Sequence, residues 1–260
     1  MIGQPRNYSD MLKRIFWGSL IVGLASTTLL SFQSPDVEAF VNLSAEEWNL
    51  GPFKLPILFV LVPAGVAIVA RVITLHDFIS HVFTIRKRFD VAHILVPLAT
   101  EVGIKVNDCF RKTLKDNRDE LMGTTFYEYV PDADSAKINP QLVVSALDRW
   151  GWFWCCVEPI PILILASIVA WYLVEVSAVI PYLIASILFA LSAVAIWPSC
   201  VRAARIQIKA IASDQDRRQK IRGIFDALQD QGKIDPLGER GKANLDGESM
   251  VSESDQRASD

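Results

Sequence analysis

A glutamate beside two prolines is the residue of this sequence with the clearest capacity for chemistry. Glu158 precedes Pro159 and Pro161 and lies near the start of a long apolar stretch. A carboxyl group inside a membrane is a candidate proton or cation site, because burial opposes its charged form. The competing interpretation is a structural ion pair with Arg71 or Arg149, near the same predicted interface. We take these three charged residues as candidate functional residues and favour the structural pair over transport.

A group of histidine and aspartate residues is the second such feature. It falls within eighteen residues and comprises His76, Asp77, His81, Asp90 and His93. Asp77 and His81 share a helical face at four-residue spacing, as do Asp90 and His93 at three-residue spacing. A metal site needs three or four convergent ligands, and the sequence lacks the HExxH motif. We predict polar positions on the solvated face of an amphipathic helix, with no metal and no cofactor.

Two short basic groups lie near predicted membrane segments. One is Arg86, Lys87 and Arg88, and the other is Arg202, Arg205 and Lys209. Each basic side chain close to an anionic leaflet gains about 1 kcal/mol. Because no glycine-rich phosphate loop accompanies either group, we predict contacts with lipid headgroup phosphates and no nucleic-acid partner.

Small residues recur at every fourth position of the first apolar segment. They are Ser19, Gly23, Thr27 and Ser31. At this spacing they line one face of a helix, and small side chains permit another helix to approach closely. We predict that this stripe packs against another helix and that it contributes to a homo-oligomer.

Four apolar segments must position these residues. They are 15–32, 55–75, 151–175 and 178–198. Each approaches or exceeds the roughly 20 residues that cross the hydrocarbon core of a bilayer. The last two are so close in sequence that they must form an antiparallel helical hairpin, since irregular backbone is excluded from lipid. We predict an all-α integral membrane protein with four transmembrane helices.

The connecting segments differ in composition. We predict a polar N-terminal segment at 1–14, an outer loop at 33–54 and a small helical module at 76–150. A basic helix is predicted at 199–228, after the fourth span. The remainder, 229–260, is rich in Gly, Ser, Asp and Glu and lacks aromatic residues, which predicts a disordered acidic tail.

Charge asymmetry predicts the orientation. Of the 26 Lys and Arg residues, Lys54 alone falls in a predicted outer connection. The positive-inside rule therefore places both termini and the module at 76–150 in the cytoplasm, with the spans in the inner (plasma) membrane.

These features favour a non-enzymatic function. We expect an oligomeric membrane anchor or sensor subunit that contacts membrane lipids and docks a cytoplasmic protein partner. One form of this hypothesis is a stress- or defence-type effector that perturbs the membrane. The alternative is a small ion channel or transporter that uses Glu158. A membrane enzyme with a cytoplasmic His/Asp site is the least favoured class.

Overall fold

The computed structural model describes residues 3–42, 47–50 and 53–230 of the chain. Two compact units divide it: unit 1 contains Met1–Phe89 and Glu128–Gln207, and unit 2 contains Asp90–Tyr127 and Ile208–Asp260. Helices dominate both units, as predicted, and unit 1 adds a short antiparallel hairpin, β1 (Glu47–Leu50) with β2 (Phe53–Pro56). Parts of the predicted outer loop, at 43–46 and 51–52, and most of the predicted acidic tail, at 231–260, lie outside the described residues.

Three of the described helices are long and apolar enough to cross a membrane. They are α1 (Tyr8–Gln33), the continuous stretch of α9 (Pro140–Val157) and α10 (Pro159–Leu173), and α11 (Val176–Ala212). A pair of helices bent by 56° supplies a fourth span if it is counted as one. The membrane character of the chain therefore follows from the helices themselves.

The first apolar segment and its connection depart from the predicted bounds. Helix α1 begins at Tyr8 rather than at residue 15, because the side chain of Asn7 accepts a hydrogen bond from the backbone of Asp10 at 2.9 Å and caps the helix. The predicted loop that follows contains helix α2 (Pro35–Val41), which Ser34 caps from its N-terminal side.

The second apolar segment is broken rather than continuous to residue 75. It contains α3 (Ile57–Val72), and a bend then leads into α4 (Leu75–Val82) and α5 (Ile85–Phe89). Thr74 ends the helical path because its backbone has φ of 48°, in the left-handed region that β-branched residues rarely adopt. Helix α4 is therefore part of unit 1 instead of the start of a separate module.

Unit 2 differs from the module predicted at 76–150, because it combines two distant parts of the chain. Its first part contains a π-helical segment (Asp90–Leu95), α6 (Val96–Glu101), α7 (Asp108–Asp116), α8 (Arg118–Leu121) and a second π-helical segment (Met122–Tyr127). Its second part contains the end of α11 and a helix at 215–230. Residues 128–150, predicted to belong to the module, lie in unit 1.

The core of unit 2 explains this composition. The first part contributes Leu95, Leu98 and Leu114 with no exposed surface, and the second part contributes Ile211, Ile221 and Phe225. Phe110 and Phe225 meet edge to face with ring centroids 6.3 Å apart. The two parts are needed together to bury these side chains.

The sequence predicted two separate helices that meet at residue 198. In the structure the fourth span continues without a break to Ala212 as one helix. Pro198 lies inside α11, because a proline removes a single backbone hydrogen bond and the rest of the helix can continue around it. The break falls instead at residues 213–214, before the helix at 215–230.

Candidate functional site

The junction between α9 and α10 interrupts the hydrogen bonding of a membrane helix. The backbone of Glu158 remains helical, and its N–H donates to the carbonyl of Trp154 at 2.9 Å. Pro159 and Pro161 follow and have no N–H to donate to the carbonyls four residues earlier. The helix therefore lacks two backbone hydrogen bonds around Glu158, those that the carbonyls of Cys155 and Val157 would otherwise accept.

The side chain of Glu158 is buried at this junction, with 4 % of its surface exposed. The hydroxyl of Ser19 on α1 donates to its Oε1 atom across 3.3 Å. Its Oε2 atom is also buried and has no hydrogen-bond partner in the part of the chain that the structure describes. The carboxyl group is thus half satisfied, by a neutral group from another helix.

Small residues bring α1 close enough for this contact. A Cβ atom at Gly18 would lie 3.3 Å from the Sγ atom of Cys155, so the missing side chain leaves room for the thiol. That thiol donates to the carbonyl of Arg14 at 3.8 Å. Gly151, one turn earlier on α9, similarly accommodates the side chain of Met11. The approach of the two helices therefore depends on glycines on both of them.

The two arginines predicted as partners of Glu158 occupy other surroundings. Arg149 donates to the hydroxyl of Ser199 and, at 3.4 Å, to the hydroxyl of Ser145. Arg71 lies near the end of α3 with an exposed side chain and attracts the carboxyl group electrostatically. The described contacts of Glu158 thus replace the expected ion pair with a hydroxyl.

The histidine and aspartate group does not converge. His76 is buried and meets the hydroxyl of Tyr8 at 2.8 Å, whereas His81 is exposed. Asp90 accepts from Nε of Arg118 at 2.9 Å in unit 2. Among the described residues, no three His, Cys, Asp or Glu side chains come together in a way that could hold a metal ion.

Both basic groups present their side chains at the surface. Arg86, Lys87 and Arg88 are exposed on the short helix α5. Arg202, Arg205 and Lys209 are exposed on α11. Their predicted contacts with lipid headgroups remain compatible with this exposure.

Two members of the small-residue stripe pack within the chain. Ser19 contacts Glu158, and a Cβ atom at Gly23 would lie 3.2 Å from the Cβ atom of Pro63 on α3. Thr27 and Ser31 donate to carbonyls of their own helix, at 3.0 and 2.8 Å. Ser19 and Gly23 therefore pack against other helices of the same molecule, and their contacts give no support to an oligomer.

An ion pair beside the site was missed from the sequence. Arg14 on α1 is buried and donates to Asp148 on α9 at 2.6 Å. Its guanidinium also lies 5.3 Å from the ring centroid of Trp152. The signal was available, because Met11, Ile15 and Ser19 continue the buried face of α1 past the predicted start of the span.

The chain belongs to the YmfE protein family, because the model of this family matches residues 7–227. The match extends from the cap of α1 into the helix at 215–230 and so includes both units. Neither a curated protein nor a solved structure matches the chain. The family name carries no activity, substrate or partner, so a function must be argued from the geometry.

Proposed function

We propose that this member of the YmfE family is a non-enzymatic protein of the inner membrane whose unit 2 docks a soluble protein partner in the cytoplasm. The observation that carries the proposal is the composition of unit 2. Its hydrophobic core joins residues from before α9 with residues from the end of α11 onward. A folded helical unit on a membrane anchor is a suitable docking element. Its core holds the helices together, so the side chains on its outer surface can contact a partner.

Contacts at the start of α1 support four membrane crossings. Arg6 pairs with Asp134, and its carbonyl accepts from the backbone of Ala133 at 2.9 Å, in the segment that leads into α9. Tyr8 meets His76 at the start of α4. The beginnings of α1 and α4 and the segment that leads into α9 therefore lie together, which favours a return of the chain across the membrane through α3.

Charge supports a cytoplasmic location for unit 2. Helix α7 exposes Arg111, Lys112 and Lys115 while it buries Phe110 and Leu114. An excess of Lys and Arg is typical of cytoplasmic segments. These three cations share the exposed surface of α7 with Asp108 and Asp116, and they would attract and accelerate the approach of an acidic group of the partner.

A crosslinking experiment tests the proposal. The exposed thiol of Cys109, next to this surface on α7, carries a photoactivatable crosslinker in the full-length protein, in cells. We expect one crosslinked protein, recovered in stoichiometric amounts and lost when Arg111, Lys112 and Lys115 are changed to Glu.

Two controls make the result decisive. Glu175→Cys in a Cys109→Ser background moves the crosslinker to the turn between α10 and α11. This variant should not capture the protein that is crosslinked through Cys109. The double change of Arg202 and Arg205 to Glu alters exposed charges in unit 1 and should leave the crosslink intact. Docking through this surface would be refuted if no crosslink forms, or if the same crosslink forms after the charge reversal on α7.

A further inference from the structure

The buried carboxyl group of Glu158 lacks the partners that a permanent negative charge requires. Isolated charges cost several kcal/mol to bury even after the surroundings relax, and they persist where an opposite charge or several hydrogen bonds offset that cost. Glu158 receives one hydrogen bond, from Ser19, and its second oxygen has none among the described residues.

The charged and titratable groups on the helices around Glu158 either bind other residues or do not contact it. On α1, Arg14 is held by Asp148 at 2.6 Å. On α3, Arg71 is exposed and acts on the carboxyl group without a hydrogen bond. On α4, His76 is bound by Tyr8 at 2.8 Å. None of these three groups therefore forms an ion pair with Glu158 in the described structure.

The groups nearest in sequence are neutral. Cys155 and Cys156 lie on the preceding turn of α9, and the thiol of Cys155 donates to a backbone carbonyl. The first two turns of α10 carry no titratable side chain. The surroundings of Glu158 are consequently apolar apart from one hydroxyl and the more distant charge of Arg71.

This chemistry suits a proton better than a metal ion. Hard cations such as Ca²⁺ take about six to eight oxygen ligands, and Mg²⁺ demands a nearly complete octahedron. The described site presents one carboxyl and one hydroxyl. A proton needs a single oxygen, and Oε2 is the atom without a partner, while Oε1 continues to accept from Ser19.

We propose that Glu158 and Ser19 form a proton-binding site inside the membrane-spanning bundle, at the proline-interrupted junction of α9 and α10. Uptake forms an O–H bond at Oε2 with a proton that hydronium supplies, leaving water and a neutral carboxylic acid. Release reverses this step and requires water or another base to reach the junction. This proposal does not depend on partner docking. In a transporter that uses Glu158, the ion bound at this residue would be a proton.

A hydrophobic carbodiimide tests the proposal, because it enters membranes and modifies protonated carboxyl groups. The full-length protein in phosphatidylcholine vesicles is treated over a pH series, and mass spectrometry measures modification at each carboxyl group. Glu175, exposed at the far end of the hairpin, is the matched reference. We expect Glu158 to remain reactive at neutral pH, where Glu175 has ceased to react.

Two variants refine the result. Glu158→Gln keeps the shape of the neutral acid and should fold normally while it removes the modification. Ser19→Ala should extend reactivity to higher pH, since the carboxylate loses the hydrogen bond that helps to stabilise it. A merely structural role for Ser19 would leave this pH profile unchanged.

Three outcomes would overturn the proposal. They are absence of modification at Glu158 at every pH, loss of reactivity at the same pH as Glu175, and protection by sodium ions at constant pH. The last would assign the site to a metal cation. None of these measurements involves the docking partner, so failure here is distinguishable from failure of the docking proposal.

Discussion

Three buried side chains that can carry a charge differ in the partners that they contact. Arg14 has a carboxylate partner on another helix, and Asp90 has the guanidinium of Arg118. Glu158 has a hydroxyl group. An ion pair stabilises the charged form of a buried group, as it does for Arg14 and for the carboxylate of Asp90, whereas a lone hydroxyl leaves the carboxyl of Glu158 free to become neutral. The contrast supports the assignment of structural roles to the first two residues and of a titrating role to the third.

The pair in unit 2 yields a prediction about stability. Asp90 has 5 % of its side chain exposed and Arg118 has 15 %, so the pair is largely shielded from water. Arg118→Ala leaves the buried carboxylate without its guanidinium, and removal of one member of a buried pair typically costs about 3–5 kcal/mol. We expect unit 2 to unfold at lower denaturant concentration, as measured by amide hydrogen exchange across residues 90–127.

An exposed pair supplies the control for this measurement. Arg6 and Asp134 each have 65 % of their side chains exposed, and such surface pairs contribute about 0–1 kcal/mol. Arg6→Ala should therefore leave exchange in unit 2 unchanged. Equal effects of the two substitutions would contradict a structural role for the buried pair.

At the scale of the helices, α1 is the element on which unit 1 is assembled. It packs against α3 at Gly23 and against α9 at Gly18, and both approaches depend on the missing Cβ atom. A nearby tyrosine on α11, Tyr182, directs its hydroxyl to the carbonyl of Ser26 at 3.4 Å. Substitutions on α1 should consequently affect the whole of unit 1.

Glycine substitutions separate packing from helix propensity. Gly23→Ala and Gly65→Ala both gain about 1 kcal/mol of helix propensity. A Cβ atom at Gly23 would press on Pro63 at 3.2 Å, while one at Gly65 would meet nothing within 4 Å. Overpacking costs about 1–3 kcal/mol, so we expect a lower unfolding temperature for Gly23→Ala than for Gly65→Ala, measured by tryptophan fluorescence in detergent.

The oligomeric state is the informative second readout for these variants. The small-residue stripe predicts that Gly23→Leu disrupts an oligomer, whereas the contact with Pro63 predicts that it disrupts the fold of unit 1. A folded variant that loses a subunit would favour the former. A Gly23→Ala protein as stable as the Gly65→Ala protein would show that the approach of α1 to α3 tolerates a methyl group.

Sequence reasoning found the apolar helices and Glu158 because both signals are local. A run of about 20 apolar residues and a carboxylate within it need no knowledge of the rest of the chain. The partner of Glu158 was not predicted, since Ser19 lies 139 residues away and its selection depends on the packing of α1. The extent of unit 2 was missed for the same reason. The spacing of Ile221 and Phe225 indicates a buried face without indicating what covers it.

At the scale of the whole molecule, the composition of unit 2 constrains membrane topology. Residues 90–127 and 208–230 belong to one folded unit and must lie on one side of the membrane. We therefore expect the segment between them to cross an even number of times, and α9–α10 and α11 are the two helices long and apolar enough to do so. This arrangement predicts that the turn at residues 174–175 lies on the opposite side.

Thiol labelling tests this arrangement with a native residue. Cys109 is exposed in unit 2, while Cys155 and Cys156 are partly buried and Cys200 is buried. We expect a membrane-impermeant maleimide to label Cys109 in inside-out vesicles and to leave it unmodified in intact spheroplasts.

The turn provides the opposite control. Glu175→Cys in a Cys109→Ser background should be labelled in intact spheroplasts instead. Labelling of both positions from the same side would contradict the hairpin of α10 and α11 as a pair of crossings, and labelling of Cys109 from outside would reverse the proposed orientation.

The divided composition of unit 2 also fixes an order of events during synthesis. About 80 residues separate its two parts in the chain. At about 5–20 residues per second, the ribosome needs roughly 4–16 s to make that stretch. Phe110 must wait at least that long for Phe225, whose ring packs against it in the folded unit. The nascent chain therefore exposes an apolar surface while two membrane helices are inserted, which makes this interval the point at which a chaperone would have the most to protect.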